Sequence, residues 1–134
     1  MPRIATICPY CGTGCGLVLT VDNNRIVSAK GDPSHPVNQG RLCLKGYYGY
    51  HHVADERRLA HPLIRKGAEG HTPVSWDEAL DFASERLLKV RDRYGPDAFA
   101  LFSSARALNE DNYAAQKFAR AVMGTNNVDH CARL

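Results

Sequence analysis

The chain has 134 residues, of which 44% are hydrophobic and 23% are charged, and its formal net charge is +3. These values are typical of one folded domain and argue against a chain that is disordered throughout. The 17 basic residues are scattered, so the charge gives little support for nucleic-acid binding. No apolar run approaches the ~20 residues of a membrane span, and residues 1–4 leave no room for a signal peptide before the cysteines. We therefore expect a cytoplasmic protein with no nucleic-acid partner and no membrane span.

Four of the five cysteines form the pattern C-x2-C-x3-C-x27-C: Cys8, Cys11 and Cys15 lie in the stretch CPYCGTGCG, and Cys43 follows at a distance. An odd number of thiols in a reducing compartment argues against a disulfide framework. Three ligands on one loop and a fourth from a separate segment suit a [4Fe-4S] cluster, because a cubane takes one thiolate at each of four irons. A structural zinc site and a set of buried apolar cysteines remain alternatives.

The segment between the third and fourth of these cysteines predicts a hairpin over residues 17–29, because runs rich in β-branched residues flank Asp22-Asn23-Asn24. Residues 31–46 contain two prolines and show no helical period, which predicts an ordered loop that carries Cys43. Residues 1–57 are therefore interpreted as a small β-rich domain. Its apolar residues are few, so metal binding is expected to supply part of its folding free energy.

Residues 58–74 are interpreted as a linker, because prolines and glycines interrupt any periodicity. Ser75 and Glu78 then form an S-x-x-E capping box, which predicts a helix that stops at Tyr94-Gly95-Pro96. The apolar run AFALF, residues 98–102, predicts a buried strand. A second helix is predicted from Asn109 to Gly124, followed by an extended path. Its predicted inner face consists of Ala114, Phe118, Ala121 and Val122.

The order of helix, strand, helix and strand is the opening of a parallel α/β layer. Such a layer needs cover on both faces and partners at its edges, which these elements do not supply. The expected fold is therefore α+β or α/β, with a β-rich [4Fe-4S] domain over residues 1–57 and the incomplete start of an α/β domain over residues 75–134. The sequence is expected to be the N-terminal part of a larger protein.

Several stretches together resemble the start of the molybdenum or tungsten bis-pterin oxidoreductases, and most closely the formate dehydrogenase catalytic subunits. The resemblance covers nearly the whole chain, and the stretches are CPYCGTGCGL, NQGRLCLKGYYGYHH, PVSWDEAL, SSARALNEDNYAAQKFAR and GTNNVDHCARL. It implies a [4Fe-4S] cluster in the first domain. It also implies two molybdopterin guanine dinucleotides, with molybdenum or tungsten, in the α/β domains.

The resemblance also implies roles for residues outside the cysteine pattern. Lys45 matches the lysine that lies between cluster and pterin in this family, where a cation favours the reduced cluster and donates hydrogen bonds along the electron path. Arg106 falls where the family contacts pterin, and a guanidinium suits its oxygen acceptors. Cys131 lies in a stretch that resembles the pterin pocket. Ordinary surface or packing roles remain the alternatives for all three. The same alternatives are favoured for Asn109, Asn112, Tyr113 and Gln116.

Three histidines, His51, His52 and His130, are not interpreted as metal ligands or proton carriers, because no ligand spacing or paired carboxylate supports such a role.

In similar formate dehydrogenases the HCARL stretch is followed directly by the cysteine or selenocysteine that ligates the metal. We therefore expect a UGA codon for selenocysteine after Leu134, which the nucleotide sequence tests. The catalytic residues are then expected beyond Leu134, and the 134 residues alone are expected not to oxidise formate to carbon dioxide. The expected partners are the remaining part of the catalytic subunit and an electron-transfer subunit or soluble carrier. Three alternatives stay open: an assimilatory nitrate reductase of the same family, a free-standing [4Fe-4S] electron-transfer protein, and a zinc-stabilised interaction domain.

Overall fold

The computed structural model describes residues 1–65, 67 and 70–131. The chain divides into two compact units. The first contains Met1–Arg58, Ser103–Ala114 and the described residues from His130 onward, and the second contains Leu59–Phe102 and Ala115–Asp129. The domain limits expected from the sequence, at residues 57 and 74, stay a prediction.

A three-stranded antiparallel sheet is the framework of the first unit. Its strands are β1 (Arg3–Ile7), β2 (Gly16–Asp22) and β3 (Arg25–Gly31), and β2 is central. The predicted hairpin is confirmed as the β2–β3 pair. Its turn residues Asn23 and Asn24 have φ values of 45° and 61°, the left-handed pair that a two-residue type I′ turn requires.

A short helix, α1 (Leu44–Tyr48), continues into a 3₁₀ turn over Gly49–Ala54, and both contact β3. The Tyr50 hydroxyl donates a hydrogen bond to the Val27 carbonyl oxygen at 3.1 Å. The loop predicted over residues 31–46 ends at Cys43, because α1 begins at Leu44. A helix of five residues is too short to show a period in the sequence, and packing on the sheet stabilises it instead.

The second unit contains the long helix α2 (Trp76–Tyr94), whose predicted limits are confirmed. Ser75 is its N-cap, and the Ser75 hydroxyl oxygen accepts a hydrogen bond from the Glu78 backbone N–H at 3.1 Å. Gly95 ends the helix with φ 85°, a conformation that favours glycine. Asp77 and Glu78 in the first turn and Arg91 and Arg93 in the last complement the helix dipole.

A short antiparallel hairpin lies within the segment interpreted as a linker. Its strands are β4 (Leu63–Arg65) and β5 (His71–Pro73). Ile64 and Val74 are buried there, and the Val74 N–H donates to the Pro62 carbonyl oxygen at 3.0 Å. A three-residue strand is too short to produce a detectable alternation of polar and apolar residues.

The strand predicted over residues 98–102 is shifted and is not buried. The structure has a 3₁₀ turn over Pro96–Ala98 and a short strand, β6 (Leu101–Ser103), which pairs with β7 (Val128–His130). Phe102 is 69% exposed. A strand is buried on both faces only when layers cover it, and this two-stranded sheet lacks such cover among the described residues.

The second predicted helix begins at Asn109 as expected but changes form midway. It consists of α3 (Asn109–Lys117) and a π-helical segment (Phe118–Met123), and it ends at Gly124 with φ 82°. The predicted inner face is wrong at three of its four residues: Ala114, Ala121 and Val122 are exposed, whereas Phe118 is half-buried and contacts Phe99. The buried residues are Ala119 and Met123. The wider π turn rotates the side chains from Phe118 onward about the axis, so a constant helical period selects the wrong residues at Ala121 and Val122.

The combination of small sheets and helices confirms the predicted mixed α and β fold class. Within the part of the chain that the structure describes, no helix is both long enough and apolar enough to cross a bilayer.

Candidate cluster site

The four cysteines of the sequence pattern line one cavity of about 720 Å³ in the first unit. The Cys8 N–H donates to the Cys15 carbonyl oxygen at 2.8 Å, which closes the loop that carries three of them. Cys43, the residue before α1, lines the same cavity. Cys8 is buried, Cys11 and Cys15 are half-buried, and Cys43 is exposed. The fold therefore brings together thiols that lie 35 positions apart at the extremes of the pattern, from Cys8 to Cys43.

Hydrogen bonding favours the thiolate form of Cys11. The Thr13 hydroxyl lies 3.2 Å from the Cys11 sulfur. This hydroxyl, with the Thr13 backbone N–H, lowers the pKa of the Cys11 thiol, and the positive charge of Lys45 adds to the shift. A thiolate is the form that ligates iron, so this loop prepares one ligand for binding.

Burial acts in the opposite direction on Cys15. Desolvation raises the pKa of the Cys15 thiol, and the nearby thiols of Cys8, Cys11 and Cys43 raise it further because like charges repel. Four converging sulfur ligands thus oppose one another's ionisation. A bound cationic iron core removes this repulsion, because it neutralises the thiolates on binding.

The donor set and the space both fit a [4Fe-4S] cluster. A tetrahedral zinc ion would hold all four sulfurs within about 4 Å of one another, whereas a cubane separates them, with one thiolate at each iron. All five cysteines are free of disulfides.

Lys45 lines the cysteine cavity from the first turn of α1, two residues after Cys43. It also lines a second, apolar cavity of about 270 Å³, together with Cys8 and Tyr10. From the wall of the cysteine cavity, the positive charge of Lys45 can interact electrostatically with a bound cluster.

Of the other two candidate residues, Arg106 lies in the loop after β6, and Cys131, which directly follows β7, contacts this loop. The Ala105 N–H donates to the Cys131 sulfur at 3.3 Å, and the Ser104 hydroxyl lies 3.4 Å from it. These two contacts lower the pKa of the Cys131 thiol, and the charge of Arg106 contributes. Asn112 holds the loop in place, because its side chain bonds to both the N–H and the carbonyl oxygen of Ser104.

The structure also identifies two asparagines that the sequence did not single out for the cysteine site. The buried side chain of Asn38 bonds to Gly16 and Arg41, and Asn109 donates to the Gly12 carbonyl oxygen at 3.0 Å. Asparagine is common in turns and at helix N-termini, so nothing in the sequence links either residue to the cysteine loop.

The histidines take part in local contacts. His51 stacks on Tyr50 with ring centroids 4.3 Å apart. The His52 Nδ1 lies 3.4 Å from the Tyr10 hydroxyl and also close to the Gly49 carbonyl oxygen. Residues 132–134 of the HCARL stretch, and the selenocysteine position expected after them, lie outside the described residues.

Two family descriptions match consecutive parts of the chain. Residues 1–55 match the molybdopterin oxidoreductase Fe4S4 domain, and residues 58–134 match the molybdopterin oxidoreductase family. They confirm the two predicted cofactor classes, a [4Fe-4S] cluster and a molybdopterin.

Two curated relatives are similar over nearly the whole chain. Formate dehydrogenase H of Escherichia coli is 51% identical over 100% of the chain. The F420-dependent formate dehydrogenase 2 subunit alpha of Methanococcus maripaludis is 51% identical over 98% of it. The chain spans only 19% of the length of either relative. Among solved structures, acetylene hydratase from Pelobacter acetylenicus superposes with a TM-score of 0.74 at 22% identity, over 94% of this chain and 18% of that one. This likeness shows a shared fold.

Proposed function

Because this chain belongs to the molybdopterin oxidoreductase family, we propose that it is the N-terminal, electron-relaying part of a formate dehydrogenase catalytic subunit. The observation that carries the proposal is the convergence of four cysteines and one lysine on a single cavity, in a chain about half identical to formate dehydrogenases over its whole length.

In this proposal Cys8, Cys11, Cys15 and Cys43 hold the [4Fe-4S] cluster. When bound, the cluster supplies one-electron redox chemistry. The loop from Cys8 to Cys15 provides three thiolates, and the segment before α1 provides the fourth. The hydrogen bond that closes the loop and the Thr13 hydroxyl orient the thiolates before iron arrives, so less ordering is needed on binding.

Lys45 is the proposed electron-transfer residue between the cluster and a pterin. Its ammonium group favours an added negative charge on the sulfur ligands, as its effect on Cys11 indicates. Arg106 and Cys131 are proposed neighbours of the pterin. The loop after β6 carries the Arg106 guanidinium, and two donors of the same loop hold the Cys131 sulfur. A guanidinium suits pterin oxygens and phosphates.

For the whole protein, we propose oxidation of formate to carbon dioxide, which releases one proton and two electrons at a molybdenum or tungsten bis-pterin centre with a selenocysteine ligand. The remaining part of the catalytic subunit and an electron-transfer subunit or soluble carrier are the proposed partners. A cytoplasmic location is proposed because all five cysteines are free thiols.

Anaerobic purification of the protein that carries this sequence tests the cluster and the reaction separately. We expect about four irons and four sulfides per chain, visible iron–sulfur absorption, and an EPR signal on reduction. Stoichiometric zinc in a colourless protein would contradict the cluster. Formate-dependent reduction of a viologen dye tests the reaction, and activity with nitrate instead of formate would favour the nitrate reductase alternative.

The 134 residues expressed alone are expected to show no formate oxidation, because the proposed metal ligand and catalytic residues are not among them. Dye reduction by formate with this segment alone would overturn that part of the proposal. A folded, pterin-free segment that exchanges electrons with a carrier would favour a free-standing electron-transfer protein.

A further inference from the structure

We propose that Asn38 is a positioning residue for the cluster. Its side chain joins the loop that carries three of the proposed ligands to the segment that carries the fourth. The inference rests on the proposed function, since it presumes that Cys8, Cys11, Cys15 and Cys43 bind one cluster. Asn38 is only 8% exposed and lies at the wall of the cysteine cavity.

The Asn38 side chain makes three hydrogen bonds. Its Oδ1 accepts from the Gly16 N–H at 2.8 Å, and its Nδ2 donates to the Gly16 carbonyl oxygen at 3.0 Å. The second Nδ2 proton goes to the Arg41 carbonyl oxygen at 2.8 Å. Gly16 directly follows Cys15, and Arg41 precedes Cys43 by two residues. One amide therefore links both ligand-bearing segments.

Both amide protons of Asn38 are committed to backbone carbonyls, so the side chain serves the backbone and leaves no donor for a cluster sulfur. No other side chain reproduces this pattern at the same length. Aspartate retains an acceptor but lacks both donors, and its charge would face two carbonyl oxygens. Alanine would leave the buried N–H and carbonyl groups of Gly16, and the partly buried carbonyl oxygen of Arg41, without these partners.

The backbone next to these hydrogen bonds is closely packed. A Cβ atom on Gly16 would lie 2.4 Å from the His35 ring, and a Cβ atom on Gly31 would lie 2.1 Å from the Gly40 carbonyl oxygen. The Gly16 carbonyl oxygen already accepts a second hydrogen bond, from the Asp32 N–H at 3.0 Å. Gly16 is therefore held by close packing and by hydrogen bonds from both Asn38 and Asp32.

Loss of the Asn38 hydrogen bonds should misalign Cys43 before the other three cysteines. Cys43 is exposed and belongs to the other segment, so it depends on contacts such as the one between Asn38 and Arg41 for its alignment with Cys8, Cys11 and Cys15. A cubane with one poorly held thiolate has one labile iron. Oxidation by ferricyanide then removes one electron and releases one Fe²⁺ from [4Fe-4S]²⁺, which leaves [3Fe-4S]⁺.

The test compares Asn38→Ala and Asn38→Asp with the control Asn126→Ala in the anaerobically purified protein. Asn126 is an exposed asparagine in the second unit. The readouts are iron per chain, the midpoint potential of the cluster, and the rate at which ferricyanide produces the EPR signal of an oxidised three-iron cluster. We expect both Asn38 variants to lose one iron at least about tenfold faster than the wild type, because each lacks the two hydrogen bonds that Nδ2 donates. The control should match the wild type.

The outcomes separate this inference from the proposed function. A wild-type protein without iron overturns both. A wild-type protein that holds the cluster, with Asn38 variants of unchanged potential and unchanged rate of iron loss, overturns the role of Asn38 alone. If neither Asn38 variant yields a folded protein while Asn126→Ala does, the side chain serves folding in general and the positioning role is wrong.

Discussion

Asn109 donates a hydrogen bond from its side-chain Nδ2 to the carbonyl oxygen of Gly12 at 3.0 Å, although 97 positions separate the two residues. Gly12 lies in the cysteine loop between Cys11 and Cys15, and Asn109 is the first residue of α3. The contact lies within the first unit, which contains residues from both ends of the chain. The start of α3 thus supports the proposed cluster loop directly.

We predict that Gly12→Ala destabilises the cluster loop through this contact. A Cβ atom on Gly12 would lie 2.6 Å from the Asn109 Oδ1, so the asparagine must move and its hydrogen bond is lost. The expected cost is about 1 kcal/mol in the apparent free energy of unfolding, monitored by cluster absorbance in denaturant. Asn109→Ala should cost a similar amount.

A double-mutant cycle is the control for this prediction. Gly12→Ala should have little further effect in the Asn109→Ala background, because the contact is already absent. Gly14→Ala should cost the same in both backgrounds, since Gly14 has φ +71° with no atom near its Cβ position and its cost is backbone strain. Additive effects of Gly12→Ala and Asn109→Ala would contradict the coupling.

Gly31→Ala is predicted to be among the most destabilising glycine substitutions. A Cβ atom there would lie 2.1 Å from the backbone oxygen of Gly40, which cannot rotate away as a side chain can. We expect a loss of about 1–3 kcal/mol, because the end of β3 must separate from the loop that leads to Cys43. Lys30→Ala, at an exposed position of the same strand, should stay within about 0.5 kcal/mol of the wild type in the same unfolding measurement.

The assignment of four cysteines to the cluster predicts a sharp difference between Cys43 and Cys131. Both are exposed free thiols, but Cys43 lines the cysteine cavity, whereas Cys131 contacts Ser104 and Ala105. Cys43→Ala should abolish or convert the cluster, whereas Cys131→Ala should retain about four irons per chain. Iron analysis and EPR of the two variants distinguish them. Full iron loading of Cys43→Ala would remove it from the ligand set.

Alkylation of Cys131 is predicted to depend on Ser104. The Ser104 hydroxyl is the main cause of the lowered pKa of the Cys131 thiol, and a lower pKa means more thiolate at neutral pH. Ser104→Ala should therefore raise that pKa and slow iodoacetamide labelling of Cys131 at pH 7, with the pH profile moved to higher pH. Peptide mass spectrometry measures the rate at this position. Ser84→Ala, at an exposed site on α2, should leave the rate unchanged.

Local signals in the sequence predicted several elements correctly. The Asp22-Asn23-Asn24 turn, the Ser75 cap and the stops at Gly95 and Gly124 each depend on the conformational preference of the residues themselves. Elements that depend on packing were missed or misjudged. The helix α1 is stabilised by contacts with β3, and the π-helical segment rotates the buried positions from the predicted face to Ala119 and Met123.

The cysteine spacing by itself determined the kind of site, because three thiols on one short loop and a distant fourth favour a cubane whatever surrounds them. The tertiary structure decided how the site is held. Asn38 and Asn109 support the loop through hydrogen bonds to residues 22 and 97 positions away, and such pairs leave no local pattern. The spacing of the cysteines therefore indicates the type of site, whereas the alignment of the cysteines depends on contacts that exist only after the chain has folded.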